Sequence, residues 1–423
     1  MKETRFKDTE VGRIPMDWEI IKFDKAFTFY PTNTMSRDML CEEGSVYNIH
    51  YGDVLIKYGS VLDAERESIP AIKNSDNFKP VYTIKNGDII IADTAEDETV
   101  GKVCEVQNVG TKNIVSGLHT MWVRPIEDTF SASYLGYAMN GSVYHDQLIP
   151  FIQGTKVSSI SKAAIENTYI LLPPPQEQHR IASALTDIDE LISSLDKLIA
   201  KKKDIKQGVM QQLLTGKVRL KGFTKPWVEK KLGDCATILR GGSPRPIEAY
   251  LTTNQDGINW IKIGDVRPND KYIKSTAEKI IPEGVSRSRQ VKKGDFILSN
   301  SMSFGRPYIL DIEGCIHDGW LVIMDYSETF DMDFLYYMLS SESVFEQYIA
   351  MAAGSSVKNL NKEKVSDVIL YSPSSVKEQC AIATLLTDMD NELAALEAKR
   401  CKYTMIKDGM MQQLLTGKIR LTY

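Results

Sequence analysis

Apolar residues recur at steps of three and four along two stretches of the chain. In the first, Leu185, Ile188, Ile192, Leu195, Ile199, Ile205, Val209 and Leu213 keep the spacing, with Lys202 as a polar interruption. In the second, Leu386, Met389, Leu393, Leu396, Tyr403, Ile406, Met410 and Leu414 occupy the same register, interrupted by Arg400. This spacing predicts two long helices, each with a seam of coiled-coil type. "PPPQEQ" marks the start of the first, since proline fits the first turn of a helix but not its interior. Gly216 and Gly417 supply C-terminal stops. A helix from about Gln176 to Leu214 would run roughly 58 Å at 1.5 Å per residue. One such stripe cannot stay exposed in water, whereas two can bury each other; the alternative is that each packs on its own globular domain. Elsewhere the pattern is different. Short β-branched runs closed by "NG", "KG" and "YG" predict strands, while "FSASYLGYAMNGSVYHDQL" and "DMDFLYYMLSSESVFEQYI" predict helices.

The two helical stretches are copies of one another. "MQQLLTGKVRL" at 210–220 returns as "MQQLLTGKIRL" at 411–421, and 23 of 44 gapless positions agree between 177–220 and 378–421. That is an internal duplication. The segments before the helices are related more faintly: "IKNGDIIIAD" with "VKKGDFILSN", "IHYGDV" with "IKIGDV", "QGTKVSSISKAAI" with "AGSSVKNLNKEKV". The expected organisation is residues 1–172 as a first domain, 173–220 as a central helix, 221–372 as a second domain and 373–423 as a C-terminal helix. The fold class expected is α+β: two mixed α/β domains separated by two long antiparallel coiled-coil helices, with an internal pseudo-twofold. Such an object can measure the distance between two sites. Gly208 and Gly409 sit inside the last turns of both helices, at about 1 kcal/mol each relative to alanine. Their matched placement predicts that something approaches the backbone closely there; the alternative is fraying of the helix ends.

Composition leaves this picture intact. An apolar fraction of 43% and a charged fraction of 25% suit a globular protein of more than one core. No apolar run reaches membrane-spanning length and the N-terminus lacks a signal-peptide pattern, so a cytoplasmic protein is expected. Six dispersed cysteines without a CxxC pair predict reduced thiols, with no metal site. The net charge of −5 conceals a division: residues 221–310 sum to about +7, residues 311–350 to about −9 and residues 1–170 to about −7. A basic face can coexist with an acidic whole, because binding depends on local potential.

No catalytic constellation emerges. "LLTGKVR" lacks the phosphate-cradling loop of a nucleotide site. "LPPPQ" superficially resembles the Pro-Pro-aromatic loop of amino-methyltransferases, but Gln176 offers no aromatic face for a flipped base. The aspartates of "DGW" at 318–320 and of "GDI/GDF" read as turn residues. Loops suited to DNA do emerge. In "ILRGGSPRPIEAY" and "INWIKIGDV", Arg240, Ser243, Arg245 and Lys262 flank glycines that permit approach to phosphates. Arg287 and Arg289 follow in "GVSRSRQVKKGD". Asn300, Ser301, Ser303 and Arg306 follow the "GDFILSN" strand, and Asn and Arg pair bidentately with adenine and guanine edges. In the first domain the matching loop "ADTAEDETVGK" is acidic, leaving Thr94 and Lys102 as its contact candidates. "YPTNTMSRDML" adds Asn33, Ser36 and Arg37.

Taken with the two copies of "LLPPPQEQHRIASALTDID", with "GGSPRPIEAY", "INWIKIGDV" and "GTKVSSISKAAIENTYILLP", the chain resembles the specificity subunit of type I restriction-modification systems over nearly its whole length. The resemblance implies two target-recognition domains, each reading one half of a bipartite double-stranded DNA site. It also implies assembly with two modification (methyltransferase) subunits and with restriction/translocase subunits. S-adenosylmethionine, ATP and Mg would then belong to those partners, and adenine-N6 methylation and DNA cleavage would be theirs; this chain would be non-catalytic and hold no cofactor. The loop after the first "GDIII" strand departs from the family pattern, with neither the Arg nor the Gly usual there, whereas "SNSMSFGRP" keeps Gly305 and Arg306. Unlike loops in the two domains predict an asymmetric target. A helix of about 58 Å corresponds to roughly 17 base pairs at 3.4 Å rise, an upper guide to the span covered. The competing reading is a coiled-coil adaptor whose end domains bind protein or glycan.

Overall fold

"IIIA" and "FILS" each form a strand buried at every residue, Ile89–Ala92 and Phe296–Ser299. An uninterrupted apolar run is stable as a strand only when both faces are covered. Here Ile89 and Ile91 face a cluster with Phe23, Leu135 and Leu148, while Ile90 and Ala92 face Ile49, Val54 and Trp122. Phe296 and Leu298 likewise face one core and Ile297 another. Tight turns feed both strands, with Gly87 at φ +83° and Gly294 at φ +91°. Asp88 and Asp295 close those turns by accepting the backbone N–H of Lys85 (2.8 Å) and Lys292 (2.9 Å), the turn role expected of them.

The computed structural model describes residues 5–75, 80–154, 156–267, 270–300, 304–352 and 360–421. The chain divides into two units, Met1–Asp196 with Ala398–Tyr423, and Lys197–Glu397. In the first unit a five-stranded sheet runs in the order Phe27–Tyr30, Thr120–Pro125, Ile89–Ala92, Val103–Gln107, Val61–Asp63. A four-stranded sheet runs Ile114–Ser116, Tyr47–Ile49, Ala71–Ile72, Leu40–Cys41. The second unit repeats the scheme. Its first sheet runs Thr237–Arg240, Trp320–Met324, Phe296–Ser299, Pro307–Leu310, Tyr272–Ile273; its second adds Arg289–Val291 at one edge. The parallel pairings also recur, Val103–Gln107 with Val61–Asp63 and Pro307–Leu310 with Tyr272–Ile273. The two stretches read as helical form paired short helices, Tyr134–Asn140 with Ser142–Leu148 and Met332–Leu339 with Glu342–Ala352.

The long helices span Pro175–Leu213 and Val376–Leu414, 39 residues each. Both carry on from one unit into the other, so each unit holds the beginning of one helix and the end of the other. In the first unit Ile181, Ala182 and Leu185 share a core with Leu414 and Leu415. In the second, Leu213 and Leu214 share a core with Ile382, Ala383 and Leu386. The pairing is therefore antiparallel. Of the expected seam, Leu185, Ile188, Leu195, Ile199, Leu213, Leu386, Leu393 and Leu414 are buried; Ile192, Val209, Met389, Leu396, Tyr403 and Met410 are half-buried. Ile205 and Ile406, one repeat apart, are instead exposed. Strict alternation of three- and four-residue steps puts Lys206 and Lys407, not these isoleucines, on the seam, and both lysines are half-buried there against Asp390 and Asp189. The polar interruptions form ion pairs between the helices: Lys202 with Glu392 (2.6 Å) and Arg400 with Asp196 (3.1 Å).

Nothing in this chain comes close to Gly208 or Gly409, where a Cβ would meet no atom within 4 Å outside its own helix. Gly216 and Gly417 act as helix stops in the left-handed region, at φ +70° and +67°. Among the described residues no helix is long and apolar enough to cross a membrane.

Candidate nucleic-acid interface

The frame beneath the candidate site is a pair of reciprocal clamps. Glu177, in the first turn of the first long helix, has a side chain only 3% exposed. It accepts two bonds from the Arg420 guanidinium (2.7 and 2.6 Å) and one from the Trp18 indole (3.0 Å). Glu378, fully buried at the equivalent place of the second helix, accepts two from Arg219 (2.9 and 2.6 Å) and one from Trp227 (3.2 Å). A bidentate guanidinium is the donor best matched to a buried carboxylate. Both arginines belong to the repeated undecapeptide, and each serves the glutamate of the other copy. A second motif joins each short-helix pair to both long helices. The Tyr137 hydroxyl donates to Asp189 (2.9 Å), which Lys407 also meets at 2.6 Å; Tyr337 donates to Asp390 (2.6 Å), which Lys206 also meets.

On this frame the second unit assembles its loops. Strand Thr237–Arg240 leads into Gly241, which lies so close to the chain that a Cβ would collide with the carbonyl oxygen of His317. Only glycine fits there. The next turn places Ser243 so that its hydroxyl donates to Asp318 Oδ1 at 2.7 Å. The same carboxylate stands 3.0 Å from His317 Nε2 and 3.6 Å from the Arg245 guanidinium. The backbone carbonyl of Asp318 accepts from Asn300 Nδ2 (3.0 Å) and Arg240 Nε (3.2 Å), and Arg289 donates to the carbonyl of Arg240 (3.3 Å). Four sequence candidates, Arg240, Ser243, Arg245 and Asn300, thus converge on Asp318, and a fifth, Arg289, braces Arg240. Partial burial raises the Asp318 carboxyl, but Ser243, His317 and Arg245 prevail and hold it below the usual range. The His317 ring is oriented by its Nδ1, which accepts the Gly319 N–H at 2.9 Å and leaves Nε2 facing the carboxylate.

The remaining candidates of this unit lie apart from that hub. Lys262 is held by Glu278 at 2.6 Å, Arg287 lies over the Tyr250 ring at 5.8 Å, and Arg306 is exposed just before strand Pro307–Leu310. Ser301 and Ser303 lie outside the described residues, as do Thr155 of "QGTKVSS" and 353–359 of "AGSSVKNLNKEKV".

In the first unit several candidates are turned to structural work. Asn33 bonds Asn48 (2.7 Å) and the Ser116 carbonyl (2.9 Å), and its own oxygen accepts the Met35 N–H. Arg37 makes a bidentate pair with Asp53 (2.9 and 2.6 Å), and Ser36 donates to Asp38. Lys102 is the clearest reassignment. Its ammonium donates to the carbonyls of Leu55 (2.8 Å) and Tyr58 (3.4 Å), and burial lowers its pKa. A lysine so occupied presents no free cation to a phosphate. Thr94 stays at the surface: its hydroxyl donates to Asp93 (2.8 Å) and lies 3.3 Å from His119 Nδ1. His119 in turn meets the Tyr51 ring edge-on at 5.3 Å.

Sequence reasoning passed over Asp318, His317, Asp93 and His119, and over the two Arg–Glu clamps. The clamps left a signal, since the arginine and the glutamate are both identical across the duplication. The hub left little: a lone Asp before Gly has the signature of any turn.

The family model described as the type I restriction modification DNA specificity domain matches twice, at residues 15–206 and 224–402. A putative type I restriction enzyme MjaX specificity subunit of Methanocaldococcus jannaschii is 25% identical over 442 aligned residues, covering 99% of this chain and 98% of that protein. The type I restriction enzyme EcoEI specificity subunit of Escherichia coli is 27% identical over 136 residues, 32% of this chain and 23% of its own. The fold is similar to that of the type I restriction-modification S subunit from M. genitalium, with a TM-score of 0.55 at 15% identity, covering 94% of this chain and 96% of that one. A chain solved in work on assembly and conformational transition of the type I restriction-modification system gives a TM-score of 0.58 at 16% identity, covering 96% and 99%. With two tandem matches over most of its length, the chain belongs to the family of type I restriction-modification DNA specificity proteins.

Proposed function

We propose that this chain is the DNA-reading, non-catalytic subunit of a type I restriction-modification complex, with each domain binding one half of an asymmetric bipartite site in double-stranded DNA. The long helices set the spacing between the half-sites and offer docking surface to two modification subunits, with restriction/translocase subunits joining them. S-adenosylmethionine, ATP and Mg are used in those partners, and the complex works on DNA in the cytoplasm. One observation carries the reading: two frames alike in strand order, helix pairing and buried clamps bear loops of different charge. The second domain presents Arg240, Arg245 and Arg289 around Asp318, whereas the first presents Asp93, Thr94 and His119. Cations on the loops supply phosphate contacts that position each domain, and neighbouring polar groups read base edges.

Methylome sequencing of a host expressing this chain with its modification subunit tests the proposal. A split, non-palindromic methylated motif is expected. A palindromic or uninterrupted motif refutes the two-reader account, and salt-independent binding in anisotropy with duplex DNA returns the chain to the adaptor class.

A further inference from the structure

Asp318 is ringed by donors of the kinds that also bind phosphate. Around its carboxylate stand a serine hydroxyl, a histidine N–H and an arginine guanidinium: Ser243 at 2.7 Å, His317 at 3.0 Å and Arg245 at 3.6 Å. Arg240 approaches the same residue through its backbone carbonyl. Hydroxyl, imidazole and guanidinium donors around one anion are the usual equipment of a backbone-phosphate contact. The guanidinium is the loose member of the set. Arg245 has a side chain 82% exposed and sits beyond hydrogen-bond distance, whereas Asp318 is 31% exposed and anchored. The first domain repeats the theme with Asp93, which accepts from Thr94 and stands 3.4 Å from His119. There the carboxylate follows strand Ile89–Ala92, as Asn300 follows Phe296–Ser299.

Resting on the DNA-reading proposal above, we infer that Asp318 is an acidic guard: its carboxylate fills the phosphate seat of the second domain and repels DNA that does not otherwise fit. A duplex backbone arriving there meets a negative charge already satisfied by Ser243 and His317. Non-cognate DNA, held by phosphate contacts alone, bears that repulsion without compensation. In the cognate complex alone Arg245 swings from the carboxylate to the phosphate and relieves it, which makes the repulsion selective. Asp318 therefore raises the ratio of specific to non-specific binding while lowering total affinity. It acts through its charge, not as a reader of bases.

The test is Asp318→Asn in the full chain bound to its modification subunits, titrated with a fluorescein-labelled duplex of random sequence and with the duplex identified by methylome sequencing. Asparagine keeps an oxygen for Ser243 and the backbone carbonyl for Asn300 and Arg240, so the loop is retained. Removing one negative charge several ångströms from a phosphate gives ~3–10-fold tighter binding to random duplex at low salt, fading at high salt. The cognate-to-random affinity ratio falls by a similar factor. In an Arg245→Ala background the gain shrinks. If Asp318→Asn lost the fold, Asp318→Ser, which gives Ser243 a hydroxyl partner, carries the same test. Unchanged or weaker binding of random duplex by a folded variant overturns the guard while leaving the DNA-reading proposal standing. Failure of the wild-type complex to bind either duplex overturns both.

Discussion

Replacing Arg420 with alanine removes the donor that neutralises Glu177. The glutamate would keep only the Trp18 indole and, at 3.3 Å, the Leu421 N–H, in a pocket that leaves its side chain 3% exposed. A buried carboxylate deprived of its guanidinium costs about 3–5 kcal/mol, because the desolvation of the charge persists while its compensation is gone. Arg420 also holds Asp17 through two bonds (2.9 and 2.7 Å), but Asp17 is 54% exposed and returns to water at little cost. The loss is therefore assigned to Glu177. The double variant Arg420→Met with Glu177→Met removes both charges and retains volume, so it should recover most of the stability lost by Arg420→Ala. Urea denaturation gives the free energies, and hydrogen exchange gives the location. Protection should fall together near residues 175–185 and 410–421, segments more than two hundred positions apart. A change below about 1 kcal/mol in the single variant would refute the reasoning, as would a double variant less stable than the single one.

Arg219→Ala should reproduce that loss in the second unit through Glu378, with exchange rising near residues 213–227 and 376–386. Tyr337→Phe strips Asp390 of a 2.6 Å bond and should cost about 1–3 kcal/mol, as should Tyr137→Phe at Asp189, both read by denaturation. Arg245→Ala should reduce the slope of log affinity against log salt for duplex DNA by about one, whereas Lys102→Met should leave that slope unchanged and lower stability instead. Burial raises the Glu105 carboxyl to about 7, above its ordinary 4.5, despite the N–H groups of Gly136 and Ser133 that it accepts. Its contribution to stability is then complete below pH ~4.5 and is lost as pH rises through ~7. The denaturation midpoint should fall across that window in the wild type and stay flatter in Glu105→Gln.

Periodicity made the first long helix legible to within a residue at each end, because proline at the start and glycine past the end mark its boundaries, whereas the segment expected as the C-terminal helix, 373–423, overshoots Val376–Leu414. The strands "DIII" and "DFILS" were legible as hydrophobic runs between glycine turns. Their partners were not, since sheet order depends on contacts between residues far apart in sequence, such as Trp122 with Tyr30 and Ile90. Among the loop residues, chemistry was legible and orientation was not. Arg37, Lys102 and Arg245 are equivalent as letters. Arg37 finds the buried carboxylate of Asp53, Lys102 finds two carbonyls, and Arg245 is left in solvent beside Asp318. Which outcome a cation meets is set by acceptors that arrive from another part of the chain. The seam failed at Ile205 and Ile406 for a related reason: each lies one residue before the seam position, which Lys206 and Lys407 fill because Asp390 and Asp189 arrive from the other helix, while Leu213 and Leu414 beyond them stay buried.

The duplication explains why one frame can serve two different readers. Each recurrent polar element, the Arg–Trp–Glu clamp and the Tyr–Asp–Lys motif, draws members from both copies of the repeat, so the two copies cannot diverge there independently. Arg219 can change only with Glu378, and Arg420 only with Glu177. The loops are under no such tie. Ser243, Asn300 and Arg240 all donate to Asp318 within a single domain, and Thr94 donates to Asp93 within the other. Each set can therefore be exchanged without disturbing the buried charges of the frame. Dissimilar loops on a shared, reciprocally locked frame are what an asymmetric target demands.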